Sequence, residues 1–214
     1  VLLLGLITLT LAALGVLAAR ALRRQVAYLI LASVATLMIA IGINSEAALT
    51  ATFYYLIHST LLGAAMFLIA EAIPVDRPVL VGSVFMLLGI ALTGMPPLSG
   101  FFGKVMILNS ALAHPWFAAI LSVVLIGGLI MIIAVCRSGS LLFYSVQKDK
   151  SQQTSPLNKS AFIAVVMLML VSPLMVIFAK PLNNMSAQIA AQLYDQQAYI
   201  NAVLDTLSHG ETGK

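Results

Sequence analysis

Residues 93–104 read TGMPPLSGFFGK. Two prolines, three glycines and a lysine stand here between two long apolar runs. Pro96 and Pro97 supply no backbone N–H and free carbonyls one turn back. Gly94, Gly100 and Gly103 permit close approach and unusual backbone angles. Such residues mark either a loop between two membrane helices or a break inside one. The choice decides the fold, and with it whether Lys104 is a loop charge or an ion placed inside the membrane.

The rest of the chain fixes the class. Its 214 residues are 61% hydrophobic and only 8% charged, against about 25% charged in soluble domains. No soluble core absorbs this much apolar surface, so the chain is a membrane protein. A span needs about 20 apolar residues. Segments of that kind cover 1–18, 26–43, 51–73, 79–112, 116–144 and 160–178. They are apolar all round, which favours helices over the alternating strands of a barrel. The net charge of +4 is small and scattered and points to no nucleic acid. The single Cys136 excludes an internal disulfide and a Cys-based metal cluster. With no metal-ligand spacing, no phosphate loop and no nucleophile–base pair, the expectation is no metal, no cofactor and no enzymatic activity. The chain does not begin with Met, and residues 1–19, VLLLGLITLTLAALGVLAA, lack the basic start of a signal peptide. The expectation is the C-terminal part of a longer chain.

Segment 79–112 holds 34 residues. Two full spans need about 40 plus a turn, and one tilted span about 20–25. The basic residues discriminate. With one crossing, Arg20, Arg23, Arg24, Arg77, Lys148, Lys150 and Lys159 all fall on one side. Glu46, His114, Lys180, Asp195, Asp205 and Glu211 fall on the other. With two crossings the late lysines part from the arginine cluster. The positive-inside rule favours the first. The expected fold is therefore an all-α polytopic bundle of six transmembrane helices, one of them discontinuous. The Arg20–Arg24 loop is cytoplasmic and the C-terminus external. Residues 1–180 form the transmembrane domain. Residues 181–214 form an amphipathic helix and tail, with Ile189, Leu193, Gln197 and Ile200 at helical spacing, lying on the outer surface or against a partner subunit.

A broken helix is tolerated where it lines a polar cavity. Lys104 lies near the start of the second half-helix, where a positive charge is unfavourable, and burial penalises its charged form. Both favour release of a proton, so Lys104 is the leading candidate for a proton carrier. The competing assignments are snorkelling to an interface or pairing with a carboxylate. On the third span, Tyr54 and His58 share a face with Leu62, and Tyr55, Ser59 and Thr60 lie near it. A mid-span histidine suits a proton relay or a neutral packing contact, and both readings stand. Glu71 is expected to pair with Arg77. Ser33 and Thr36 suit ordinary helix packing, and Arg137 anchors the cytoplasmic interface.

GMPPLSGFFGKVMIL, residues 94–108, resembles the broken-helix motif of the proton-translocating membrane subunits shared by complex I and the Mrp/Pha cation/proton antiporters. FYYLIHSTLLGAAMFLIAEAI, AVCRSGSLLFYSV and AAQLYDQQAYINAVL resemble the D-type membrane component of those antiporters (the PhaD family). The resemblance covers nearly the whole chain. It implies a 14-helix protein built from two inverted five-helix repeats, of which this chain holds the last six helices. Lys104 then stands at one end of a central polar axis, exchanging protons with one aqueous side. Relatives often carry a second lysine about a turn after the histidine, but here Gly63 occupies that region, so His58 and Tyr54 carry that part of the path. The implied function is one component of a multisubunit exchanger of Na⁺ (or K⁺, Li⁺) for H⁺, in a bacterial inner membrane, beside other membrane subunits. The alternative is a proton-pumping membrane subunit of a quinone-reducing or hydrogenase-type complex.

Overall fold

The computed structural model describes residues 1–71, 78–148, 159–195 and 200, apart from the side chains of 71, 78 and 141–148. The expected Glu71–Arg77 pair, the basic side chains Lys148 and Lys150, and the tail positions Gln197, Asp205 and Glu211 lie outside this description. Among the described residues the chain forms helices and no strand. They are α1 (Leu2–Ala18), α2 (Leu22–Ile43), α3 (Glu46–Glu71), α4 (Pro78–Thr93), α5 (Ser99–Ser110), α6 (Phe117–Lys148), α7 (Lys159–Ile177) and α8 (Ala179–Tyr194). The result is a multi-pass membrane helix bundle. The stretches Leu22–Ile43, Glu46–Ala70, Phe117–Ser140 and Lys159–Ile177 are long and apolar enough to cross a bilayer. Leu2–Ala18 and Val79–Thr93 are apolar but shorter. Segment 79–112 is thus divided between two helices, α4 and α5, as its prolines and glycines require.

Helix α3 is the hub, packed against α2, α4, α5, α7 and α8. Its apolar residues are spread around the whole helix, which suits a central rather than a peripheral place. Ala48, Ala51, Tyr54, Tyr55, His58, Leu62, Ala65, Met66 and Ile69 are all buried along it. Thr60, expected near the Tyr54–His58 face, is exposed. Helix α7 is more apolar than α3 but peripheral. It buries Val165, Ser172 and Met175 and leaves Ile163, Met167, Leu170 and Leu174 exposed.

Helices α4 and α5 follow one another along α3. Gly89 of α4 lies by Met66, in the C-terminal half of α3. Gly100 and Gly103 of α5 lie against His58 and Tyr55, nearer the α3 N-terminus. Met106 and Asn109 then border the same recess as Ala47 and Thr50. Helix α4 also packs along α6, with Gly89 at Val135 and Gly139 at Met86.

Two polar ties hold the periphery. Gln25 of α2 is buried and donates through Nε2 to the Ala134 carbonyl of α6 at 3.0 Å. Exposed Arg137 donates through Nη2 to the Leu17 carbonyl at 2.6 Å, at the C-terminus of α1, where a cation complements the helix dipole. Ser33 and Thr36 bond to the Leu29 and Ala32 carbonyls of their own helix at 3.2 and 2.9 Å. At the opposite end, α8 crosses the first turns of α3, and its Tyr194 hydroxyl donates to Asn44 Oδ1 at 3.1 Å. The face of α8 that is buried holds Ser186 and Ala190, whereas Leu193 of the expected apolar stripe is exposed. Small side chains let α8 approach α3 closely, which a leucine stripe would prevent.

The α1–α2 pair packs backbone close to backbone. A Cβ at Gly42 would stand 2.6 Å from the Leu2 backbone, and one at Gly5 2.9 Å from the Ile39 nitrogen. Backbone cannot yield as a side-chain tip can. Gly42→Ala is therefore expected to destabilise the detergent-solubilised full-length protein by about 1–3 kcal/mol, read as a lowered thermal-unfolding midpoint. An unchanged midpoint would contradict this packing.

Candidate functional site

The site is built on the break between α4 and α5. Helix α4 ends in two overlapping backbone bonds: Gly94 N–H donates to the Ala91 carbonyl at 3.2 Å and Met95 N–H to the Ile90 carbonyl at 3.3 Å. This is the Schellman arrangement, with Gly94 left-handed at φ +80°. Pro96 and Pro97 follow and forbid continuation. The chain turns through a Leu98 N–H to Met95 carbonyl bond of 3.1 Å and restarts at Ser99.

The Schellman bonds occupy the carbonyls of Ile90 and Ala91 but not that of Thr93. Lys104 fills that role: its Nζ donates to the Thr93 oxygen at 2.6 Å. Thr93 is the residue four before Pro97, so this is a carbonyl the proline cannot serve. Lys104 is buried, and its side chain curls back over Gly94, where an added Cβ would stand 3.1 Å from the lysine Cδ. The lysine sits in the second turn of α5, but its charge rests at the C-terminus of α4. The dipole there favours a cation, which offsets the unfavourable N-terminal placement that the sequence suggests. Of the two competing assignments, snorkelling does not describe this burial, and the bonded partner is a carbonyl.

His58 approaches the same break from α3. Its Nδ1 lies 2.7 Å from Ser99 Oγ. Ser99 Oγ lies 2.8 Å from Ser172 Oγ, and the Ser99 N–H donates to Ser172 Oγ at 3.3 Å. All three residues are buried. Ser172, on α7, thereby caps the first turn of α5, whose N-cap residue Leu98 has no side chain to do so. His58 Nε2 is buried with no hydrogen-bond partner. A Cβ at Gly100 would come within 2.6 Å of both this nitrogen and the Ala91 carbonyl. Glycine at 100 is what lets α3, α4 and α5 meet. At Gly103 a Cβ would press on the Tyr55 ring at 2.7 Å.

The structure thus brings Lys104, His58, Gly94, Gly100, Pro96 and Pro97 to one place. Tyr54 stands apart from it: its hydroxyl donates to the Met175 carbonyl of α7 at 3.2 Å. Tyr54 instead borders a recess of about 530 Å³ between α3, α5 and α8, edged by Thr50, Asn109, Lys180 and Asn183. Gly63 faces Ile30 of α2, at 3.4 Å from an added Cβ. Reasoning from sequence missed Ser99 and Ser172. Ser99 stood inside the opening motif. Ser172 was legible only as a lone polar residue beside Pro173 in an apolar run.

The chain is similar to known membrane proteins. A family profile described as "NADH:quinone oxidoreductase/Mrp antiporter, TM" matches residues 1–130. The chain is 27% identical over 196 residues to the D component of the Na(+)/H(+) antiporter of Alkalihalophilus pseudofirmus, covering 85% of this chain and 40% of that protein. It is 26% identical over 193 residues to the D component of the Na(+)/H(+) antiporter of Bacillus subtilis, covering 84% and 39%. The chain spans about two fifths of the length of these curated relatives. Among solved structures it resembles a chain of the Mrp complex from Dietzia sp. DQ12-45-1b, with TM-score 0.78, 19% identity, and 95% of this chain on 49% of that one. It also resembles a chain of respiratory complex I from Thermus thermophilus, with TM-score 0.57, 20% identity, and 86% on 44%. At these identities the structural likeness speaks to fold.

The crowding at residue 100 yields a direct test. Gly100→Ala drives a Cβ against a carbonyl and a ring nitrogen at once, so the break must open. In the full-length protein, transport is expected to fall on the order of 10- to 100-fold, as displaced functional groups typically cost, with the protein still assembled. Wild-type transport in that variant would show that His58 and Ala91 need not meet.

Proposed function

This chain belongs to the NADH:quinone oxidoreductase/Mrp antiporter transmembrane family, and from that membership we propose that it is part of a multisubunit monovalent cation/proton antiporter, to which it supplies a transmembrane proton path. Lys104 is the proton carrier of that path. The observation that carries this reading is the buried lysine bonded across a helix break to the Thr93 carbonyl at 2.6 Å. An intramembrane ion held beside broken backbone is a functional group by default.

In this reading α4 and α5 make one discontinuous crossing, and the chain crosses six times. Support comes from their succession along α3, in place of the side-by-side pairing that a hairpin would give. The chain ends accord with it. Val1, Gly42, His114 and Trp116 border one recess, Asn44 and Tyr194 another, and Asn109 and Lys180 a third, all at one end of the bundle. That end is external. The Arg20–Arg24 loop and Lys159 are cytoplasmic, as the positive-inside rule asks, in a bacterial inner membrane. Residues 1–180 are the transmembrane domain, and α8 begins the outer segment.

His58 stands beside Lys104 at the break, and Tyr54 borders the external recess, so the path runs from Lys104 past His58 toward the outer face. Na⁺ or K⁺ leaves the cell against entering H⁺, with other membrane subunits as partners. The relatives named as components of Na(+)/H(+) antiporters favour this over a place in a quinone-reducing complex.

The test uses the full-length protein in its complex. Lys104→Ala is expected to abolish Na⁺-dependent collapse of ΔpH in everted membrane vesicles. Lys104→Arg, which keeps the charge but cannot release it, is expected to fail as well. Normal exchange in either assembled variant would reject Lys104 as the carrier. His58→Ala is expected to slow exchange, and an unchanged rate would leave His58 a packing residue.

A further inference from the structure

Helix α7 is the least buried of the long helices, yet it sends one hydroxyl, Ser172, fully into the interior. What that hydroxyl does follows from counting donors. Ser172 Oγ accepts the Ser99 N–H at 3.3 Å. Among the described residues its other partner is Ser99 Oγ at 2.8 Å. A buried hydroxyl rarely leaves its proton unpaired, so Ser172 donates to Ser99 Oγ. The Ser99 hydroxyl then has its own proton to place, and His58 Nδ1 stands 2.7 Å away. Nδ1 is therefore an acceptor. A neutral imidazole with Nδ1 accepting carries its proton on Nε2. That nitrogen makes no hydrogen bond of good geometry, but it has the Ala91 carbonyl, an acceptor for its proton, across Gly100 at the edge of the break.

We propose that Ser172, acting through Ser99, is a positioning residue that fixes the tautomer of His58, so that the imidazole presents an N–H donor at Nε2 to the break that holds Lys104. This rests on the proposed proton path and refines it. When Lys104 is charged, it donates to the Thr93 carbonyl. When it gives up its proton, the neutral amine exposes a lone pair inside the break. The Nε2–H supplies a donor there, to the amine or to a water bound beside it. Discharge of the lysine then leaves its lone pair with a hydrogen-bond donor. The reverse tautomer would turn a lone pair toward the Ala91 carbonyl, setting two acceptors against each other at the edge of the break. Two hydroxyls on two other helices are what exclude it.

A cap for α5 alone would make Ser172 structural, and the two roles separate cleanly. In the assembled full-length complex, Ser172→Ala is expected to lower the maximal exchange rate roughly tenfold, the rate equivalent of one lost hydrogen bond, with the apparent cation affinity unchanged. Ser172→Thr keeps the hydroxyl and is expected to restore most of the rate. A purely structural cap predicts less assembled complex but a normal rate per complex, and that result overturns the proposal. Should the alanine variant not assemble, Ser172→Cys decides: its weak donor must give a slower rate than threonine, and equal rates overturn the proposal. Lys104→Ala run in parallel distinguishes the two levels. Exchange lost there but intact in Ser172→Ala rejects the positioning role alone, whereas exchange intact in Lys104→Ala removes the reading on which it rests.

Discussion

The bond from the Lys104 ammonium to the Thr93 carbonyl spans the gap between α4 and α5, and the local structure is arranged around it. A helix end out of reach of water leaves carbonyls unpaired, each costing several kcal/mol in an apolar medium. Here Gly94 closes the Ile90 and Ala91 carbonyls through its left-handed turn, and the lysine takes that of Thr93. In return the helix end gives the lysine a partly negative place to put its charge. Neither the break nor the ion is tolerable alone, and each satisfies the other. Gly100 then allows α3 to come close enough for His58 to border the same space, and Ser172 closes the restarted helix from behind.

Much of this was legible in twelve residues. The prolines required an end to α4, and the glycines announced a close approach. The long apolar runs gave the helices and the class of protein. What remained hidden depends on neighbours distant in sequence. The dipole acting on Lys104 was assigned to α5, the helix that carries the residue, but a lysine stem reaches back past a whole break to the other helix end. Tyr54 and His58 share a face at helical spacing, yet α5 and α7 meet that face at different heights, so Tyr54 finds Met175 and His58 finds Ser99. The buried face of α8 is another feature set by distant neighbours. Hydrophobic spacing identifies the stripe that prefers to leave water, whereas close helix packing selects small residues such as Ser186 and Ala190.

The identity of the lysine's partner bears on the proposed mechanism. A lysine paired with a carboxylate is held in its charged form, because discharging it would strand a buried anion. A carbonyl sets no such trap. It accepts a hydrogen bond from an ammonium or from a neutral amine alike, so the change of charge leaves no orphaned ion behind. Among the described residues the groups bordering the Lys104 side chain are neutral: backbone oxygens of Thr93 and Gly100, and the imidazole of His58 beyond them. A proton carrier needs this combination of burial, which makes the charged form costly, and a neutral dipolar partner, which keeps both forms accessible. In this fold the partner is a carbonyl released by a proline, and that explains physically why the lysine and the Pro96–Pro97 break belong to the same short stretch of sequence.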